Sequence, residues 1–255
     1  MKNNETYHGY TYQKRCALFY LLDKFFNNDF IAISLEHPNG DDFDLHFKDK
    51  KEVYQTKDYC TLCSSNMKDF ILNMWRKYSE NINNPKSTIS IELAFIFSKL
   101  FKTPEFIAIK NRNLKDKSLN KARAYINNDP ICKYKPNKQD WDDFLNKLHL
   151  YIHTINDVET GIIKNITLLF NAYNIKDDAI DKIKNDLLEK LDTLMSGKTR
   201  GHISSKNEIQ EQIDSWHTFY WRYHPKNREK ALKQEKELLM QDPEPSISSS
   251  MKGVV

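Results

Sequence analysis

Acid, amide and amine side chains come close together in one stretch of the chain: Glu36, the acidic run Asp41-Asp-Phe-Asp44, then Gln55 and Lys57 separated by a single residue. A carboxylate and an amide oxygen are hard ligands suited to Mg²⁺ or Mn²⁺, and a nearby ammonium can offset charge that develops on a phosphate. Such a set has the chemistry of metal-assisted phosphodiester hydrolysis. If Val53 to Tyr59 is a strand, Gln55 and Lys57 leave it on the same face, because strand side chains alternate. Asp44 opens a second short apolar segment, Leu45 to Phe47, and a turn through Lys48, Asp49, Lys50 and Lys51 brings it back beside the first. The expectation is that Asp44, Gln55 and Lys57 converge on one spot.

The elements that must hold them can be read from periodicity. Tyr10 to Asn27 reads as a helix, ended by Asn27-Asn-Asp29, and Phe30 to Glu36 as a buried strand stopped at His37-Pro-Asn-Gly40. The segments at 43–47 and 52–59 complete a three-stranded meander. Met67, Phe70, Ile71, Met74, Trp75 and Tyr78 fall on one helical stripe that should cover the sheet, with Ser64 or Ser65 as its cap. Thr88 to Phe97 and Pro104 to Lys110 are expected as further strands. Residues 1–112 thus read as an α/β layered domain, 113–136 as a connector around one short helix, 137–240 as an all-α helical bundle, and 241–255 as a disordered tail.

Length and composition set outer limits. The 255 residues with 39% apolar content suffice for a real core, and the excess of basic over acidic residues, 39 to 35, permits a nucleic-acid partner without demanding one. No segment approaches the roughly 20 apolar residues needed to cross a bilayer, and the N-terminus lacks the apolar core of a secretory signal. A cytoplasmic protein with no membrane partner is expected. Four cysteines are too few for a disulfide framework.

Taken together, Glu36, Asp44 and Gln55-Thr-Lys57 behind a long N-terminal helix resemble the PD-(D/E)xK nuclease superfamily in its Glu, Asp, Gln-x-Lys variant. More narrowly, Gly9-Tyr-Thr-Tyr-Gln13, Cys16-Ala-Leu-Phe-Tyr-Leu-Leu22, the acidic cluster and Gln55-Thr-Lys57 resemble the effector nuclease domain of bacterial anti-phage systems. That domain occurs in CD-NTase-associated double-stranded DNA endonucleases, some Avs proteins and the nuclease subunit of Lamassu. The resemblance implies a restriction-endonuclease-like mixed sheet flanked by helices, and a deoxyribonuclease acting on double-stranded DNA with little sequence specificity. Asp44 becomes the central metal-binding carboxylate with Asp42 as its rival, Gln55 replaces the commoner glutamate, and the backbone carbonyl near Thr56 adds an oxygen. Lys57 stands by the scissile phosphate, Glu36 is an additional acid, and Gln13 matches a helix-borne glutamine beside the site. The helical region is then the surface for docking a partner subunit, such as an SMC-like ATPase in a Lamassu-like arrangement, or for homo-oligomerisation, and a partner holds the nuclease inactive until infection.

Other features carry less. Arg76, Lys77, Lys110 and Arg112, with Lys115 and Lys117, are candidates for phosphate contacts, although solvated faces of lysine-rich proteins look the same. Cys60-Thr-Leu-Cys63 has the spacing of half a zinc site without the other half. His149 and His153, one turn apart on an expected helix, read as surface. The aromatic cluster from Trp216 to Tyr223 reads as core, and Gly197-Lys-Thr-Arg-Gly201 lacks the context of a phosphate loop. The rival reading is a non-catalytic interaction or scaffold protein whose α/β domain is structural.

Overall fold

A computed structural model describes residues 2–35, 42–58, 61–85, 87–170, 177–195 and 202–211. The first helix, α1 (Lys2–Lys24), is apolar around most of its C-terminal half because it is covered on two sides. Tyr20 and Leu21 belong to a helix that meets the sheet on one side and the later helices Ile155–Phe170 and Asp177–Met195 on the other. It stops where Asn27 bonds back to the Lys24 carbonyl and the Asn27 side chain accepts from the Asp29 N–H. There follow β1 (Phe30–Leu35), β2 (Asp42–Phe47) and β3 (Lys50–Lys57), an antiparallel meander joined at Lys48 and Asp49.

Helix α2 (Ser64–Ile82) carries the chain to β4 (Ser90–Phe97), which pairs parallel with β3. The predicted stripe of α2, from Met67 to Tyr78, is its buried side. Three further helices, α3 (Pro104–Lys110), α4 (Lys117–Asn128) and α5 (Lys138–Lys147), lead to β5 (Leu148–Ile152), parallel to β4. Next come α6 (Ile155–Phe170), α7 (Asp177–Met195) and β6 (His202–Ser205), giving a mixed six-stranded sheet in the order β5-β4-β3-β2-β1-β6. One face is sealed by α2 to α5 over Val53, Leu93, Phe95, Phe97 and Leu148, with Trp75 wedged among Tyr78, Trp141 and Phe144. Helix α1 lies on the other, since Tyr20 meets Phe43 and Tyr54, which point away from Val53, and α6 packs against α1.

Several expectations are corrected. Pro104–Lys110 is a helix, not a strand: Thr103 accepts from the Phe106 N–H, Pro104 takes a first-turn position and Glu105 adds a first-turn acid. Leu148–Ile152 is a strand where a continuous helix from Trp141 was expected. Helix α5 ends at Lys147, and the next five residues complete the ladder on the open edge of β4. His149 therefore lies on a strand. The division at 113–136 does not hold either, because the sheet is finished only by β5 and β6, and residues 1–209 form one compact unit. The expected tail and the 216–223 cluster lie outside the described residues. Among the described residues no helix is long and apolar enough to cross a membrane.

Candidate active site

The β2–β3 register decides which side chains can meet. Asp42 stands opposite Gln55 and Asp44 opposite Val53, so Asp44, Val53, Gln55 and Lys57 all leave the sheet on the α2 face. Asp44 and Gln55 are diagonal neighbours, roughly 7 Å apart at the backbone. Tyr54 and Thr56 alternate to the α1 face. The polar groups are buried despite their chemistry: Asp44 is 6% exposed, Gln55 4% and Lys57 3%. Lys57 projects its Nζ to within 5.0 Å of the Phe70 ring centre on α2. Asp42, the rival of Asp44, is the first residue of β2.

Electrostatics separate this corner from an ordinary polar patch. One oxygen of Asp44, Oδ2, accepts from Lys51 Nζ at 2.5 Å, while its Oδ1 is buried with no hydrogen-bond partner, as is Gln55 Oε1. A buried acceptor without a donor costs about 1–3 kcal/mol, more when charged. Two such oxygens on one face are suited to receive a cation, and both are hard donors of the kind Mg²⁺ and Mn²⁺ accept. Burial, the larger influence, together with the like charge of Lys77, pushes the Lys57 ammonium down to about 7. Among the described residues no group of three His, Cys, Asp or Glu side chains is placed to hold a metal ion, so the oxygen set would be one carboxylate, one amide and backbone carbonyl.

The remaining predicted residues divide sharply. Glu36 lies outside the described residues, as do Cys60 and the 197–201 loop. Gln13, on α1, is 2% exposed, and its neighbours Tyr12 and Cys16 feel the charge of Asp58, which directly follows β3. That turn of α1 therefore sits by the end of the strand carrying Lys57. The Thr56 side chain is buried on the far face. Of the basic candidates, Arg112 spends its guanidinium on the carbonyls of Leu145, Asn146 and Leu148 at the end of α5, and Arg76 binds Asp129 at 3.3 Å. Both guanidinium groups thus make bonds within the fold. Lys110 is exposed in the last turn of α3, where it complements the helix dipole.

Two site residues escaped the sequence reading. Lys51 holds Asp44, and His46, two residues beyond Asp44, bonds Ser34 Oγ through Nε2 at 2.9 Å. The signal was present in the alternation Lys51, Val53, Gln55, Lys57 and Asp44, His46, which places each on the face already singled out.

No family model and no curated protein matches this chain. Solved structures do resemble it. The Acinetobacter baumannii Cap4 SAVED/CARF-domain containing receptor with the cyclic trinucleotide 2′3′3′-cAAA aligns with a TM-score of 0.53 at 14% identity, over 84% of this chain and 47% of that one. The same receptor with 3′3′3′-cAAA gives 0.53 at 16%, over 84% and 49%. The Moraxella osloensis Cap4 receptor gives 0.51 at 17%, over 85% and 50%. At these identities the likeness is one of fold, and the chain spans about half the length of the receptors.

Proposed function

We propose that this chain is a metal-dependent endonuclease of restriction-endonuclease-like fold, hydrolysing double-stranded DNA with little sequence preference as an effector of bacterial anti-phage defence. The observation that carries the reading is the pair of orphaned acceptors, Asp44 Oδ1 and Gln55 Oε1, buried on the sheet face that also bears Lys57. These oxygens, with the carbonyl near Thr56 and Glu36, would hold Mg²⁺ or Mn²⁺. When bound, the ion supplies Lewis-acid polarisation of a phosphate and acidifies a water. Lys57 does the rest: with its ammonium pushed down to about 7, it can offset charge on the phosphate in one protonation state and take a proton from water in the other. The order of helix, three-stranded meander, helix and parallel strand supports the fold assignment. The likeness to Cap4 receptors agrees with the resemblance of the N-terminal residues to anti-phage effector nucleases. Control by a separate partner subunit, SMC-like or otherwise, is part of the same proposal by analogy.

One observation favours a second reading, that of a ligand sensor. A cavity of about 510 Å³ opens on the α1 face, lined by Tyr20, Tyr54, Tyr151, Asp23, Glu52 and Glu92 among others. Its carboxylates Asp23, Glu52 and Glu92 outnumber the lysines of its lining, Lys24 and Lys50, which are paired with the first two, so it offers no surplus of positive charge to a polyanion such as a cyclic trinucleotide. The nuclease reading is therefore preferred. Supercoiled plasmid incubated with the protein and Mn²⁺ tests it: the parent should nick and linearise DNA, and Asp44→Ala and Lys57→Ala should not. Intact plasmid with no Mn²⁺ binding by calorimetry overturns it.

A further inference from the structure

Lys51, the second residue of β3, lies on the same face as Gln55 and Lys57, opposite His46, and reaches Asp44 Oδ2 at 2.5 Å. Its side chain is 33% exposed while that of Asp44 is 9% exposed, so a cation at the rim covers an acid inside. The ammonium takes one carboxylate oxygen and leaves the other, Oδ1, without a partner. It thus neutralises the same charge that a divalent ion would need. The neighbouring Lys50 points to the opposite face and is bound to Glu52, so it does not share this role.

We propose that Lys51 is a displaceable counter-ion that competes with the divalent cation for Asp44, and that on release it becomes a contact for the substrate phosphate. The proposal rests on the metal-site reading above. Charge accounting motivates the second half. By register two aspartate positions, 42 and 44, share this face with two lysine positions, 51 and 57, so a bound dication leaves an excess of positive charge that a polyanion offsets. Metal and DNA should accordingly bind with positive coupling, each tightening the other by the same factor.

The test is Mn²⁺ binding by isothermal calorimetry and Mn²⁺-dependent thermal stability in the parent, Lys51→Met and Lys51→Arg, with and without a short duplex DNA carrying non-hydrolysable linkages. Without DNA, Lys51→Met should bind Mn²⁺ about tenfold tighter than the parent. It should also melt lower when metal-free, because Asp44 is left buried and unpaired, and gain more from Mn²⁺. Duplex DNA should tighten Mn²⁺ binding in the parent and in Lys51→Arg, and do so less in Lys51→Met. Equal or weaker Mn²⁺ binding by Lys51→Met, or equal coupling in all three, overturns the role of Lys51 while leaving the metal site standing. Absence of Mn²⁺ binding in the parent and both variants, at millimolar Mn²⁺ with or without DNA, removes the metal site itself and this inference with it.

Discussion

Two halves of one sheet face have the same backbone geometry and opposite chemistry. From β3 to β5, Val53, Leu93, Phe95, Phe97 and Leu148 are sealed beneath α2 and α5, all essentially without exposure. From β2 to β3, the positions that continue the same face hold Asp44, His46, Lys51, Gln55 and Lys57. Burial in the first half releases water from apolar surface and stabilises the fold. In the second it strips water from a carboxylate, an amide and an amine, leaves two acceptors orphaned and costs stability. A protein keeps such a corner only when neighbouring packing over-determines it. The apolar half is the clamp, and the polar half is what it holds in place.

The largest effect should come from breaking the clamp. Trp75→Ala removes the ring that touches Tyr78, Trp141 and Phe144 and the indole donor to the Tyr134 carbonyl. A loss of about 3–5 kcal/mol in denaturant unfolding is expected. A loss below about 1 kcal/mol would mean that the two halves are not unequal partners. Substitutions in the polar half should do the reverse. Asp44→Ala and Lys57→Ala should reduce DNA cleavage by at least about a hundredfold, while Lys57→Met holds or raises unfolding stability by on the order of 1 kcal/mol. Parallel loss of stability and cleavage in all of these variants would show the polar half to be structural.

The same contrast explains what could be read in advance. Long periodic signals survive folding: the α2 stripe from Met67 to Tyr78 and the alternation that puts Gln55 and Lys57 on one face are local facts of spacing. Short apolar runs do not. Pro104–Lys110 was decided by the Thr103 cap, and Leu148–Ile152 by an open parallel edge on β4 that no local pattern encodes. Within the site, Asp44, Gln55 and Lys57 announced themselves by residue type. Lys51 hid among lysines because its importance comes from the register that sets it near Asp44. Arg112 is the opposite case, since an arginine after a helix looks free until its carbonyl acceptors, at the end of α5 two helices further along the sequence, are known.

Arg112 offers a smaller test of that distinction. Its guanidinium binds the carbonyls that end α5 and lead into β5, and its φ of 55° lies in the left-handed region. Arg112→Ala should cost about 1–2 kcal/mol of stability with DNA affinity unchanged. Arg112→Gly should be milder by up to about 1 kcal/mol, because glycine relieves the backbone strain. Weakened DNA binding without destabilisation would return Arg112 to the phosphate-contact role.

The smallest effect concerns the α1 face, where His153 joins the end of β5 to the first helix. Its Nε2 meets Tyr20 Oη at 2.9 Å and its carbonyl accepts from Tyr12 Oη at 2.7 Å. Desolvation holds this imidazole below its ordinary value, opposed only by Asp157. The folded state therefore favours the neutral ring, and between the unfolded value of about 6.5 and the lower folded one the unfolded chain binds more protons. Stability is complete above that window and falls as pH drops through it. Unfolding midpoints measured from about pH 7.5 to about pH 5.5 should decline, and His153→Gln should flatten part of the decline. The remainder belongs in part to His46 on the other face, which burial and Lys51 hold low in the same direction. If His153→Gln leaves the slope unchanged, the acid sensitivity of the fold lies with the polar half of the α2 face, and the contrast drawn between clamp and cargo extends to pH as well.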